Sequence, residues 1–234
     1  MAHTFDTSLR IPVAGTSVDD PLEAAYTCGA GTTVLVVMPF LGDVVPRQGG
    51  PPTYNDIELT KAGDSQGVTE CSAALWYLLD PPTGEAYTIS VPNTGTLPMV
   101  VVVASGKAQA GYTSVLDDSA GQAVTGSNPT TGVMTATVAG DILFAGVATG
   151  DNKFEPSART GTSLTEEDLG TWGIGAQYYL MAGTGDQAMT WTEATSDDYG
   201  AAGAAFKETL IVSASASASA SASSFRWPEL PGPP

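Results

Sequence analysis

The side chains that most often carry out catalysis are scarce in this sequence. His3 is the single histidine of the 234 residues, and Cys28 and Cys71 are the two cysteines. A Ser-His-Asp or Cys-His triad would have to recruit a residue close to the amino terminus. A zinc or non-haem iron site lacks its usual ligands, and no Gly-x-x-x-x-Gly-Lys-Ser/Thr loop is present to hold a phosphate. We therefore expect no catalytic residue, no cofactor and no metal ligand.

Carboxylates are the one catalytic group present in quantity, since the chain has 25 Asp and Glu residues. A glycoside hydrolase uses two carboxyl groups about 5 to 9 Å apart, one on each side of the scissile bond. Four glutamates lie in or beside predicted strands, namely Glu58, Glu70, Glu85 and Glu193. Nothing marks two of them as a pair, so a glycan-active enzyme is the least favoured alternative.

Two binding sites are conceivable from residue types alone. The acidic pairs Asp117-Asp118, Asp151-Asn152 and Asp197-Asp198 offer the oxygen ligands that calcium prefers, but none has an EF-hand spacing. We interpret them as solvated turn residues, and calcium binding stays open. A sugar-stacking platform could use aromatic residues that are close in sequence, and core packing is the favoured interpretation of each of them. These aromatic residues are Trp172, Tyr178, Tyr179 and Trp191.

The charge of the chain excludes two classes of partner. Eight Lys and Arg against 25 Asp and Glu give a formal net charge of −17, which repels nucleic acid and anionic membrane surfaces. The first residues lack the basic and apolar parts of a signal peptide, so we expect synthesis in a cytoplasm. Two cysteines made there are most simply buried thiols, with pairing of their two strands as the alternative.

Short segments with strand composition recur along the chain, separated by Gly, Pro, Asn and Asp. They predict an all-β fold, an antiparallel and jelly-roll-like β-sandwich over residues 21–210. Residues 34–38 and 71–79 are apolar on both faces, which is typical of central strands. The predicted strands are 24–28, 32–40, 53–61, 69–79, 86–91, 98–105, 111–116, 132–138, 141–148, 171–182, 188–193 and 199–206, and the predicted core includes Val34, Val36, Leu75, Tyr77, Val101, Val103, Phe144 and Trp191.

Two segments do not fit the sandwich. Residues 1–20 have few signals of a buried strand and are predicted to be an extended N-terminal arm, which could act as a tether. Residues 152–170 are long and polar, and they predict an exposed excursion or a short helical turn capped by Thr165.

Several motifs, in their order along the chain, resemble a β-sandwich module that recurs in tailed-phage virion proteins and in some bacterial surface proteins. The matching segments are 52–60 (PTYNDIELT), 73–84 (AALWYLLDPPTG), 99–103 (MVVVV), 177–179 (QYY), 189–192 (MTWT) and 199–207 (YGAAGAAFK). Asp56 stands where the family tends to have glycine, which questions the turn type. The resemblance covers roughly residues 22–208 and implies a sandwich with no catalytic residues to carry over.

The C-terminal end lies outside that resemblance. Residues 211–224 are a Ser/Ala linker, and residues 225–234 are a Pro-rich segment in which prolines enforce extended geometry and lower the entropy lost on docking. We predict that this segment anchors the chain to a partner. The anchoring residues would be Phe225, Arg226, Trp227 and Leu230.

Together these features predict a non-catalytic structural component of a tailed-phage virion, which decorates or stabilises the head or the tail through its terminal segments. The expected partners are other virion proteins and further copies of the chain, with a trimer as one arrangement. A carbohydrate-binding or host-attachment module of a fibre or baseplate, with a host surface glycan as its ligand, is the alternative. The sequence does not choose between head and tail.

Overall fold

The computed structural model describes residues 2–12, 17, 19–42, 50–66, 71–93, 98–150, 158–193 and 196–211. Every regular element in these residues is a β-strand, which confirms the all-β class. The strands are β1 (Thr4–Ile11), β2 (Leu22–Thr27), β3 (Val34–Leu41), β4 (Thr53–Tyr54), β5 (Ile57–Glu58), β6 (Thr60–Gln66), β7 (Ser72–Leu79), β8 (Ala86–Val91), β9 (Met99–Lys107), β10 (Tyr112–Gly126), β11 (Thr130–Ala136), β12 (Ile142–Gly150), β13 (Ala158–Arg159), β14 (Thr162–Asp168), β15 (Trp172–Leu180), β16 (Gly185–Thr192) and β17 (Asp197–Leu210).

The chain folds as two consecutive halves with the same strand order. In the first half a five-stranded sheet has the order β1-β9-β3-β7-β6, and a smaller sheet has the order β2-β8-β4-β5. In the second half the five-stranded sheet is β10-β17-β12-β15-β14 and the smaller sheet is β11-β16-β13. All pairings within the sheets are antiparallel, and each half has the order of a jelly roll. The antiparallel sandwich is thus confirmed as a class, but the body contains two sandwiches where the sequence predicted one over residues 21–210, and the first of them includes β1.

Three hydrophobic clusters hold four sheets in a stack. The large sheets of the two halves pack face to face around a central cluster, and each small sheet covers the outer face of its own large sheet. Successive side chains of a strand point to opposite faces, so Val34 and Val36 lie in the central cluster while Leu35 and Val37 lie in the outer one. This is why residues 34–38 are apolar on both faces.

Seven of the eight predicted core residues are buried, but they belong to different clusters. Phe144 lies in the central cluster, Val101 and Val103 lie between the sheets of the first half, and Trp191 lies between those of the second half. Tyr77 is only partly buried, against the central cluster. The core of this protein therefore has three layers of side chains. One layer lies between the two large sheets, and one lies on the outer face of each large sheet.

Two expectations about irregular segments are corrected. Residues 4–11 of the predicted N-terminal arm form β1, which pairs with β9 at the edge of the first large sheet. Residues 162–168 of the predicted excursion form β14, which pairs with β15, and Thr165 lies inside this strand. Both strands are at sheet edges and pair on one side only, so their sequences need less apolar character than a central strand.

The hairpin between β4 and β5 answers the question that Asp56 raised. Asn55 and Asp56 have φ angles of 51° and 61°, the left-handed values that both central residues of a type I′ turn require. Asn and Asp tolerate this region better than other non-glycine residues. The turn therefore forms without the glycine.

The two cysteines are free and buried in different layers. Cys28 lies in the outer cluster of the first half and Cys71 lies in the central cluster. The interpretation as buried thiols is confirmed, and the alternative of a Cys28–Cys71 pair is wrong in this structure.

The strands of both halves run between the same two ends of the stack. His3 donates its backbone N–H to the Gly140 carbonyl, and Ile211 donates to the Gly111 carbonyl. Residues from the start of β1, the start of β10 and the end of β17 therefore meet at one end, here called the terminal pole. At the opposite pole, the thiol of Cys71 contacts the carbonyl of Ala148.

Candidate functional site: the polar cluster of the terminal pole

An aspartate–lysine ion pair occupies the same place in each half, close to the terminal pole. Asp6 and Asp117 lie where the pairing of β1 with β9 and of β10 with β17 shifts by a β-bulge. Lys107 Nζ is 2.7 Å from Asp6 Oδ1, and Lys207 Nζ is 2.7 Å from Asp117 Oδ1. A bulge adds one residue and redirects its side chain, which brings each aspartate to the lysine on the neighbouring strand.

Both aspartates are also held by residues just beyond the end of the strand that follows. Asp6 accepts hydrogen bonds from the Gly29 N–H at 3.1 Å and from Thr32 Oγ1 at 2.8 Å. Asp117 accepts from the Thr137 N–H at 2.6 Å and from Thr137 Oγ1 at 2.7 Å. Burial alone would raise the pKa of Asp117, but hydrogen bonds from Lys207 and Thr137 outweigh it and lower that pKa. Asp117 is therefore ionised at neutral pH.

A second carboxyl group distinguishes the two pairs. Asp141 directly precedes β12 and is 0% exposed, whereas Thr33 holds the corresponding position before β3. The Asp141 carboxyl has no hydrogen bond of standard geometry in the described part of the chain, and it interacts electrostatically with the neighbouring Asp117 carboxyl. Burial, together with the neighbouring Asp117, raises the pKa of Asp141 to about 7, with Lys207 opposing the shift.

The single histidine lies beside this cluster, in a chain of hydrogen bonds that joins the two halves. The Ala108 N–H donates to Thr33 Oγ1 at 2.8 Å, and the two hydroxyls of Thr33 and Ser114 are 2.7 Å apart. Ser114 Oγ is 2.9 Å from His3 Nε2, and His3 Nδ1 is 3.0 Å from the Gly140 carbonyl. Burial lowers the pKa of His3, so the imidazole is neutral, donating through Nδ1 and accepting through Nε2.

The contact between Ser114 and His3 has the length of a nucleophile–base contact, but its surroundings differ from those of a hydrolase. Both residues are 1% exposed, so a substrate carbonyl cannot reach Ser114 Oγ. The group behind the imidazole is a backbone carbonyl and not the carboxylate that orients the base of a triad. The arrangement fixes the N-terminal strand to the second half.

The structure does not assemble the glutamates that the sequence offered as a carboxylate pair. Glu58 is exposed in the small sheet of the first half, and Glu193 follows β16 in the small sheet of the second half. These two sheets are the outer layers on opposite sides of the stack. Glu85 is exposed before β8, and Glu70 lies outside the described residues.

The acidic pairs considered as calcium ligands serve local structure where they are described. Asp118 accepts from the Thr135 N–H at 2.8 Å, and Asp198 accepts from Thr125 Oγ1. Asp151-Asn152 falls in a segment that the structure does not describe. Among the described residues, no group of three or more His, Cys, Asp and Glu side chains is placed to hold a metal ion.

The aromatic residues considered as a sugar platform pack inside the stack. Trp172 lies in the central cluster and Trp191 in the outer cluster of the second half. Tyr178 is stacked on Phe5, and Tyr179 packs against the outer cluster. Core packing was the favoured interpretation of these residues, and it is the one the structure supports.

The cluster of Asp117, Asp141 and Lys207 was not found from the sequence. An internal repeat could have pointed to it, because Tyr77 and Gly84 have the same separation as Tyr178 and Gly185. This repeat relates β7 to β15 at an offset of 101 residues, and Lys107 and Lys207 are 100 residues apart, one residue short of that offset. The predicted anchoring residues, Phe225, Arg226, Trp227 and Leu230, lie outside the described residues.

Comparisons with models of known protein families, with curated proteins and with solved structures find no match. None of the described residues forms a helix that is long and apolar enough to cross a membrane.

Proposed function

We propose that the chain is a non-catalytic structural component of a tailed-bacteriophage virion, attached to the head or the tail through its C-terminal segments. The observation that carries this proposal is the position of the chain ends in the fold. His3 and Ile211 both lie at the terminal pole, so the Ser/Ala linker and the Pro-rich segment start from one end of a compact body. The opposite pole is left to face away from the attachment point.

The chemistry of the described residues supports a structural role for the protein. The one histidine and the ion pairs of the terminal pole are engaged in hydrogen bonds that hold strands together. Face-to-face packing of the two large sheets joins the halves into one stack. A net charge of −17 favours solubility and disfavours contact with nucleic acid. The partners we propose are other virion proteins and further copies of this chain.

Truncation tests the attachment. A chain lacking residues 213–234 retains β17 to its end and should melt at the same temperature as the full chain, yet it should no longer join the particle. The matched control keeps the whole tail and replaces only Phe225, Trp227 and Leu230 by alanine, and it should fail in the same way. Incorporation of both variants at full occupancy would refute attachment through the tail.

Binding of both variants and of the full chain to a host-glycan array tests the alternative, a host-attachment module. Specific glycan binding by the truncated body would favour the host-attachment function, because the body alone would then carry the activity. Release of sugar from host polysaccharide, lost on substitution of one carboxylate pair, would instead indicate a glycan-active enzyme.

A further inference from the structure

We propose that Lys207 and Asp117 form an intramolecular isopeptide bond, with Asp141 as the catalytic acid and base of its formation. The proposal concerns covalent chemistry within the chain and does not rest on the proposed function. It requires no substrate, metal or oxidant, and its only other product is water.

The amine and the carboxyl group that would react are already in contact. Lys207 on β17 and Asp117 on β10 belong to adjacent antiparallel strands, and Lys207 Nζ is 2.7 Å from Asp117 Oδ1. The Asp117 side chain is only 1% exposed, which excludes competing water and strengthens electrostatic interactions at its carboxyl. The side chain of Lys207 is partly exposed, so the released water molecule has a route to solvent.

Thr137 provides donors where negative charge develops during attack on the carboxyl carbon. Its N–H is 2.6 Å from Asp117 Oδ2, and its hydroxyl is 2.7 Å from the same oxygen. Donors held in place at a developing oxyanion lower the barrier of acyl transfer. Thr137 directly follows β11, whose pairing with β16 fixes its position. These donors are therefore preorganised.

Asp141 provides the proton that a departing hydroxyl needs. It is fully buried, and the pairing of Ile142 with Phe206 places it beside Lys207, where it interacts with the Asp117 carboxyl. Its pKa of about 7, raised by burial and by Asp117, leaves a large fraction protonated at neutral pH. A general acid acts best when its pKa is near the working pH.

The steps balance without a co-reactant. A proton passes from the Lys207 ammonium to the Asp117 carboxylate, and the free amine attacks Cγ of Asp117 to form the C–N bond. Negative charge moves to Oδ2, which Thr137 stabilises. Asp141 protonates the departing hydroxyl, the C–O bond breaks and water leaves. The surplus proton on nitrogen returns to the Asp141 carboxylate, which ends in its starting state.

The first half of the chain contains a natural control. Lys107 and Asp6 have the same 2.7 Å contact at the same bulge, but Thr33 stands in the position of Asp141. A hydroxyl of ordinary acidity cannot supply and recover the proton as a carboxyl group does. We therefore expect one isopeptide bond in the chain, at Lys207 and not at Lys107.

Intact-mass spectrometry of the full chain, unfolded after incubation at neutral pH, tests the proposal. The wild-type chain and Lys107→Arg should each be lighter than their sequence mass by one water molecule. Lys207→Arg, which keeps the ion pair, and Asp141→Asn, which keeps the shape, should both have the full mass. Digestion of the wild type should release one branched peptide that joins residues 117 and 207.

Each contrary outcome is informative. A wild-type chain of full mass overturns the proposal, and so does a water loss that persists in Lys207→Arg. Persistence of the loss in Asp141→Asn overturns the role of Asp141. Circular dichroism of each variant, matched to the wild type, shows that a missing bond reflects missing chemistry and not a missing fold.

Discussion

Phe5 and Tyr178 stack face to face, with ring centroids 4.3 Å apart and planes 9° from parallel. Phe5 belongs to β1 in the first half and Tyr178 to β15 in the second. This pair joins the edge strand of one large sheet to the facing sheet. The first strand is therefore part of the body and contributes to its stability.

Replacing Phe5 by alanine should lower the free energy of unfolding by about 2 to 3 kcal/mol, because it removes a partly buried ring and an aromatic pair. Chemical denaturation of the full chain measures the change. Val133→Ala is the control, since Val133 is 59% exposed and its substitution should change stability by less than about 0.5 kcal/mol. Equal effects of the two substitutions would contradict the role of the stacked pair.

Gly146 lies where the two large sheets pack closely against each other. A Cβ added there would lie 2.6 Å from the Phe40 ring, so Gly146→Ala should force a shift costing about 1 to 3 kcal/mol. Thermal unfolding should show a lower melting temperature. A Cβ at Gly183 meets nothing within 4 Å, and Gly183→Ala should leave the melting temperature nearly unchanged. An unaffected Gly146→Ala would mean that the sheets can separate at no cost.

Glu193 should make stability fall as the pH rises. Burial, followed by the charge of Asp197, raises the pKa of Glu193 from 4.5 to about 7. A carboxyl whose pKa is higher in the folded state favours folding fully below its unfolded pKa and loses that contribution as the pH rises through the folded pKa. The loss between about pH 4 and pH 8 should reach at most roughly 3 kcal/mol. Glu193→Gln should flatten this slope, and an unchanged slope in denaturation at several pH values would refute the assignment.

His3 should have the opposite effect in acid. Burial lowers the pKa of His3 below its usual 6.5, so the folded state resists protonation and stability falls as the pH drops below about 6.5. His3→Gln keeps hydrogen-bonding capacity without titrating, and it should remove this part of the acid sensitivity. The measurement is the denaturation midpoint at several pH values between about 5 and 7. A variant as acid-sensitive as the wild type would show that His3 does not contribute.

The parts of this fold that were predictable from sequence are those whose composition reflects burial. Residues 34–38 are apolar on both faces because β3 is central in its sheet and covered on both sides. The edge strands β1 and β14 were missed, since a strand paired on one side needs little apolar sequence. The second half of β10 was missed because its residues from Asp117 to Gly126 are small or polar.

The stacking of two sandwiches could not be read from periodicity. A strand with two apolar faces indicates cover on both sides but does not identify the covering element. The Asp117, Asp141 and Lys207 cluster brings together residues from three distant points of the chain, and only the two equivalent bulges show why Lys207 meets Asp117. The jelly-roll order of each half, which the resemblance anticipated only in part, supplies that juxtaposition.

The last strand has a mechanical consequence for a chain held by its tail. β17 runs for 14 residues to Leu210, and it is bonded along its length to β10 on one side and from Tyr199 to Phe206 to β12 on the other. A pull on residue 211 along the strand is perpendicular to the hydrogen bonds that join β17 to its neighbours. It therefore loads many of these bonds together in shear. A strand pulled across its ladder from one end would instead unzip bond by bond. The body is thus built to withstand tension applied along its last strand.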